Sequence, residues 1–176
     1  MIWEANFLYW IQETIRQDWL NPILIAITSL GNHGWFWIAT ILFCLICKKY
    51  RNTGVYAMIS CILTYVFVIV LLKLVVNRTR PYDAYSFIHI LVPKEHDASF
   101  PSGHSAISFS VAMIYYYCLS NKKVGIGFVV LAALIALSRL YVGVHYPTDV
   151  IGGIFFGCLM SYGVKYFLID KEKRAS

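Results

Sequence analysis

Residues 54–76 run for 23 positions with a single charged side chain, Lys73. Wound as an α-helix, such a run is about 34 Å long, enough to cross the hydrocarbon core of a bilayer. A helix is also the one lone segment that satisfies its own backbone hydrogen bonds there. Four further apolar runs, at about 35–47, 104–119, 124–142 and 150–168, repeat the pattern. The expected fold is therefore all-α, a polytopic transmembrane helical bundle of about five spans. The first of these is short for a bilayer and is expected to continue back into the turn at Gly31-Asn32-His33-Gly34.

Composition agrees with this class and removes others. The 176 residues are 59% apolar and only 14% charged, outside the soluble globular range. A net charge of +6 could suggest a nucleic-acid partner. The cations, however, fall in clusters between apolar runs, which is the positive-inside pattern of a membrane protein, so no nucleic acid is expected. All five cysteines lie in apolar segments, and Cys44-x-x-Cys47 reads as two small apolar residues of a helix rather than a redox or metal pair. Met1 is followed by Trp3 and Glu4 without a basic leader, so no cleavable signal is expected.

Residues 3–19 alternate Phe7, Leu8, Trp10, Ile11, Ile15 and Trp19 with Glu4, Gln12, Glu13, Arg16, Gln17 and Asp18. That is too polar to span and is expected to form an interfacial amphipathic helix. A short helix opens at Asn21-Pro22. One domain, 1–176, is expected, with interfacial and short helices over 1–33 and a long polar loop over 77–102. The clusters at 48–51 and 122–123, with Lys165, Lys171, Lys173 and Arg174, share one side of a five-span alternation. They are expected to be cytoplasmic, together with the C-terminus. The loop at 77–102 and the junction at 139–149 then face the exterior.

That exterior face carries the polar chemistry. From Ser138 to Asp149 a cation, an imidazole and a carboxylate share twelve residues at the end of a membrane segment, where ionisable groups are costly and mark function. Asp149 follows His145 by four, which suits one helical face, although Pro147 also suits the start of a new helix. In either geometry the carboxylate can fix the imidazole tautomer and leave the other nitrogen lone pair free to attack. Phe100-Pro101-Ser102-Gly103-His104 opens the next span as a helix N-terminus, a ready anion site to which Ser102 adds a hydroxyl and Gly103 close backbone approach. With Lys73, Arg80 and Arg139 the pocket would offer three cations, backbone donors and two imidazoles, a setting for phosphate.

These residues carry a resemblance. Lys73 with six residues before Arg80-Pro81, then Pro101-Ser102-Gly103-His104, then Ser138-Arg139 with five residues before His145 and three more before Asp149, resemble the three-part signature of the type 2 phosphatidic acid phosphatase (PAP2) superfamily. That superfamily includes membrane lipid phosphatases and, on a soluble helical core, vanadate-dependent haloperoxidases. Many members have six spans, where this chain has the segment at 3–19 in place of the first. The resemblance implies His145 as a nucleophile forming a phosphohistidine, Asp149 as its orienting carboxylate, and His104 as the acid and then the base. It implies Lys73, Arg80, Ser102, Gly103 and Arg139 as phosphate-binding residues, with no metal and no cofactor.

The implied function is a lipid phosphatase of the bacterial inner (plasma) membrane, multi-pass, acting at the external face. The implied substrate is undecaprenyl pyrophosphate, with phosphatidylglycerophosphate, phosphatidate, or transfer to a lipid acceptor as alternatives. Outside the motifs, Arg78 is expected at lipid headgroups or in a loop contact, and His33, His89, His96, Asp83, Glu95 and Asp97 in solvated loops. Trp35, Trp37 and Tyr115 to Tyr117 are expected in aromatic belts. Gly152, Gly153 and Gly157 are expected to let helices approach closely.

Overall fold

The computed structural model describes residues 2–175; Met1 and Ser176 lie outside the described residues, as do the side chains at 172, 173 and 175, Lys173 of the terminal basic cluster among them. Every regular element among the described residues is helical. The α-helices are α1 (Ile2–Trp10), α2 (Asn21–Ser29), α3 (Trp35–Ile46), α4 (Arg51–Thr64), α5 (Lys73–Val76), α6 (Pro81–Ala84), α7 (Gly103–Cys118), α8 (Lys122–Tyr141), α9 (Pro147–Val164) and α10 (Asp170–Ala175). Wide π-type turns at Tyr65–Leu72 join α4 to α5, and a similar run at Lys165–Ile169 extends α9.

Three stretches are long and apolar enough to cross a membrane: Lys48–Ala84, Lys122–Tyr141 and Pro147–Ile169. A fourth arises if Asn21–Ser29 and Asn32–Ile46, bent by 46°, count as one broken span. The break falls where expected, at 31–34, because His33 and Gly34 adopt positive φ of 52° and 68° and cannot continue a helix. The fifth expected span is α7, whose 16 residues fall short of the roughly 20 a bilayer requires.

α7 is the central post of the bundle, packed on α4, α8 and α9. Small residues make this approach possible. A Cβ at Gly153 would lie 2.5 Å from the Ser102 carbonyl oxygen, and one at Gly157 would lie 2.3 Å from that of Ala106. These two glycines set the α7–α9 spacing as expected, while Gly152 lies against the Phe100 ring. Ser60, Ser105, Ser108, Ser110, Ser138 and Ser161 are buried between helices. The outward faces carry Ile46, Leu74, Val75, Ile151, Phe155 and Phe167. Such an apolar exterior around a partly polar interior suits hydrocarbon surroundings, where packing and hydrogen bonds rather than water exclusion join helices.

Several expectations are corrected. Trp37 is fully buried and its indole donates to Ser108 Oγ at 2.9 Å, while Tyr115 is buried with its hydroxyl donating to Thr40 Oγ1 at 2.9 Å. Both belong to the core and not to an interfacial belt, since each indole or phenol finds a partner inside. The N-terminal segment also differs. Its helix ends at Trp10, and a wide turn carries the chain to Ile15. Glu4, expected on the polar face, is buried, whereas Glu13, Gln17 and Asp18 of that face are exposed. Leu8 and Ile11 pack on Tyr82, Ile88, Tyr141, Val144 and Tyr146 in a second apolar cluster at the loop end of the bundle.

Candidate active site

Three chain segments build the site. The wide turns at Tyr65–Leu72 deliver Lys73 at the start of α5, and α6 begins with Pro81 and so leaves Arg80 in extended backbone. α7 starts at Gly103 with Ser102 as its cap. α8 ends just beyond Arg139, and a turn through Gly143, whose φ of 81° calls for glycine, returns the chain to His145 before Pro147 opens α9. Pro147 thus begins a new helix, the second of the two geometries open to His145 and Asp149.

Lys73, Gly103, His104 and His145 line one cavity of about 650 Å³. From this polar head the cavity runs down an apolar groove between α3 and α4, past Ile38, Leu42, Leu45, Met58, Ile62 and Tyr65. Asn32 Oδ1 accepts from His104 Nε2 at 3.0 Å, and Gly31 lies so close that a Cβ there would meet the His104 ring at 2.4 Å. The bent α2–α3 junction therefore cradles His104.

His145 is buried. Its Nε2 lies 3.5 Å from the Arg80 guanidinium, which can only donate, so a hydrogen bond there requires Nε2 to be the unprotonated nitrogen. Burial, and then the Arg80 and Arg139 charges, hold the ring far below the ordinary histidine range, which leaves it neutral at pH 7. Nδ1 lies 3.6 Å from Asp149 Oδ2, beyond hydrogen-bond range for the neutral ring. Asp149 is itself held from three sides: Oδ1 accepts from Arg78 at 2.6 Å, and Oδ2 from Ser99 Oγ at 2.5 Å and the Tyr146 N–H at 2.9 Å.

Lys73, Arg80 and Arg139 are buried, and two carboxylates of the 77–102 loop neutralise them. Asp97 pairs with Lys73 and, at 2.5 Å, with Arg80. Glu95 pairs with Arg80 at 2.5 Å and with Arg139, whose other terminal nitrogen donates to Thr28 Oγ1 at 2.7 Å. Burial raises the Asp97 carboxyl, but the hydrogen bond and charge of Lys73 with the charge of Arg80 outweigh it and hold it at about 2. Glu95 is likewise raised by burial and pulled down further by Arg139 and Arg80. A depressed acid contributes its pairing above its unfolded pKa and loses it as pH falls through the folded one. The Asp97 bridges therefore persist through mild acid and fail only toward pH 2.

Glu95 is partly buried and Asp97 keeps about half of its side chain exposed, as expected of a loop acid, yet both sit against the cations that an oxyanion would use. Two residues apart in extended chain, they share one face, and three buried cations called for counter-ions. Those two clues were present in the sequence. Ser102 stands apart from this group: it is fully buried, its hydroxyl caps α7 by accepting from the Ser105 N–H at 3.4 Å, and Ser105 Oγ donates to it at 3.0 Å.

A prediction follows for anion binding. Asp97→Asn removes one of the two acids that neutralise Lys73 and Arg80. Inorganic phosphate should then raise the thermal midpoint of the detergent-solubilised variant by roughly 2–4 °C more than that of the parent, about 1 kcal/mol of extra linkage. Equal increments in a thermal-shift titration would show that the anion does not seat on these cations.

The model of the PAP2 superfamily matches residues 53–173. An undecaprenyl-diphosphatase of Sulfolobus acidocaldarius is 34% identical over 146 residues, covering 81% of this chain and 68% of the relative. Phosphatidylglycerophosphatase B of Bacillus subtilis is 34% identical over 170 residues, covering 91% of this chain and 80% of the relative. The crystal structure of Aquifex aeolicus LpxE superposes with a TM-score of 0.81 at 26% identity, over 92% of this chain and 94% of that one.

Proposed function

Since the chain belongs to the PAP2 superfamily and is a multi-pass membrane lipid phosphatase, we propose that it hydrolyses the terminal phosphate of a polyprenyl pyrophosphate through a phosphohistidine at His145. One observation carries this: His104, His145 and Lys73 stand at the head of a groove whose walls between α3 and α4 are hydrocarbon. A phosphate at the head and an isoprenoid or acyl chain along the walls match both halves of such a substrate.

In the proposed reaction Nε2 of His145 attacks the terminal phosphorus in line and the bond to the bridging oxygen breaks. His104 gives that departing oxygen a proton. Water then attacks the phosphohistidine, losing its proton to His104, and the N–P bond breaks to release inorganic phosphate and neutral histidine. Lys73, Arg80, Arg139 and the N–H groups at the start of α7 supply the positive field for the equatorial oxygens, which is where phosphoryl transfer gains most of its rate. To receive the phosphate, the cations exchange Glu95 and Asp97 for substrate oxygens. Ser102 acts in this scheme by holding the N-terminus of α7.

The chain is taken as one domain with five spans, α7 included, and with the site at the external face of the plasma membrane. Helix direction supports this orientation: Lys48 to Arg51, Lys122 and Lys123 lie at the ends of α3 and α8 remote from His104 and Arg139, and positive clusters favour the cytoplasm.

The relative from Sulfolobus acidocaldarius favours the polyprenyl substrate, and the Bacillus subtilis phosphatidylglycerophosphatase, which covers more of the chain, favours a glycerophospholipid. Phosphate release by the purified protein in detergent, from polyprenyl pyrophosphate, phosphatidylglycerophosphate, phosphatidate and lipid A in parallel, decides between them. The expected result is kcat/KM highest for the pyrophosphate. A higher value on phosphatidylglycerophosphate would overturn the substrate, and loss of phosphate release when a lipid alcohol is added, with the alcohol phosphorylated, would convert the hydrolase into a transferase.

A further inference from the structure

Resting on the nucleophile proposed above, we infer that Glu4 and Arg78 are positioning residues for the Asp149–His145 pair, which makes α1 a working part of the phosphoryl-transfer site. Arg78 lies between two buried carboxylates, donating to Asp149 Oδ1 at 2.6 Å and to Glu4 Oε2 at 2.6 Å. Its guanidinium stacks over the Tyr146 ring at 4.0 Å, and its NH1 also donates to Thr148 Oγ1 at 2.7 Å. Glu4 Oε1 closes the circuit by accepting from the Thr148 hydroxyl at 2.6 Å and the Thr148 N–H at 3.2 Å. Tyr146 and Thr148 flank Pro147 at the start of α9, so α1 grips the turn that carries both His145 and Asp149.

Charge explains why two carboxylates face one arginine. Asp149 and Arg78 alone would be a neutral pair, offering little to a cation forming on His145. Glu4 adds a second negative charge, so the trio retains one net negative charge beside an imidazole that becomes cationic when phosphorus bonds to Nε2. Glu4 is only 2% exposed. A carboxylate buried to that degree is costly unless paired, a cost that simple anchoring of α1 would avoid with an apolar residue.

Glu4→Gln keeps the shape and an acceptor toward Thr148 while removing the charge. In the full-length enzyme it is expected to lower kcat roughly 10- to 100-fold, the loss seen when partners that orient a working histidine are changed, with KM within about 2-fold. Glu4→Asp restores the charge and should recover part of kcat. Arg78→Lys, which cannot bridge two carboxylates in a planar fork, should lose at least as much as Glu4→Gln. Rapid alkali quench separates the levels of failure. If the parent accumulates alkali-stable phosphohistidine and Glu4→Gln forms it at the parent rate, the positioning role is wrong and the nucleophile stands. If the parent forms none, the nucleophile is wrong and the inference falls with it. A lower thermal midpoint with unchanged kcat per folded molecule would reduce Glu4 to an anchor and likewise overturn the inference.

Discussion

His145→Ala is expected to reduce phosphate release by at least about 10⁴-fold, on the scale of losing a covalent nucleophile from a cooperating group. The residual binding should survive. Lys73, Arg80 and Arg139 are held by Glu95, Asp97 and Thr28 and not by the imidazole, apart from one 3.5 Å approach of Arg80. Orthovanadate or phosphate should therefore still bind the variant within about tenfold of the parent, roughly 1.4 kcal/mol. Binding measured by thermal shift, beside turnover measured by phosphate release, makes the test: near-parental turnover would remove His145 from the chemistry. The pH profile adds a second check. Burial and the neighbouring guanidinium groups hold this ring far below the ordinary histidine range, so the acid limb of kcat/KM is expected well below pH 6.5, with no loss of free nucleophile between pH 6 and 8.

His104→Ala should cost less in total, about 10²–10⁴-fold, because it removes a proton donor and leaves the nucleophile and the cations in place. The loss should depend on the leaving group. The alkoxide that phosphatidate would release needs the proton badly, whereas nitrophenolate departs without it, so kcat for phosphatidate should fall at least about tenfold further than kcat for nitrophenyl phosphate, while a pyrophosphate, which releases a lipid phosphate, should behave like the nitrophenyl ester. Equal losses on the two substrates would exclude the acid role. Asn32 and Gly31 give the result a structural companion: both touch the His104 ring from the α2–α3 bend, so small changes there should reproduce a fraction of the same leaving-group dependence.

Much of the site was legible before any coordinates, and the reason is chemical. Lys73, the Gly103-His104 pair and His145 come from three distant stretches of the chain and yet line one cavity; Arg80 lies 3.5 Å and Asp149 3.6 Å from His145, and Arg139 is linked to Arg80 through Glu95. Each stood out because a polar group at the end of an apolar run has to be explained. What escaped notice was what neutralises these groups. Glu95 and Asp97 looked like solvent-facing acids of a polar loop, Arg78 like a headgroup contact, and Glu4 like the polar side of an interfacial helix. Apart from the two-residue spacing of Glu95 and Asp97, nothing in their local surroundings distinguishes them from ordinary surface charges. The aromatic residues misled in the same way, since Trp37 and Tyr115 sit near span ends in sequence but turn inward to Ser108 and Thr40.

By itself the sequence determined the class and the motifs: helices, because long apolar runs have no other way to bury their backbone in lipid, and a candidate site, because its cations and imidazoles stand at set intervals near helix ends. Only the tertiary structure decided which charge meets which. The Thr148–Glu4 contact joins residues 144 apart and the Arg139–Glu95 pair residues 44 apart. The energy of such a pair depends on distance through space and on the local dielectric, neither of which periodicity or motif spacing along the chain encodes.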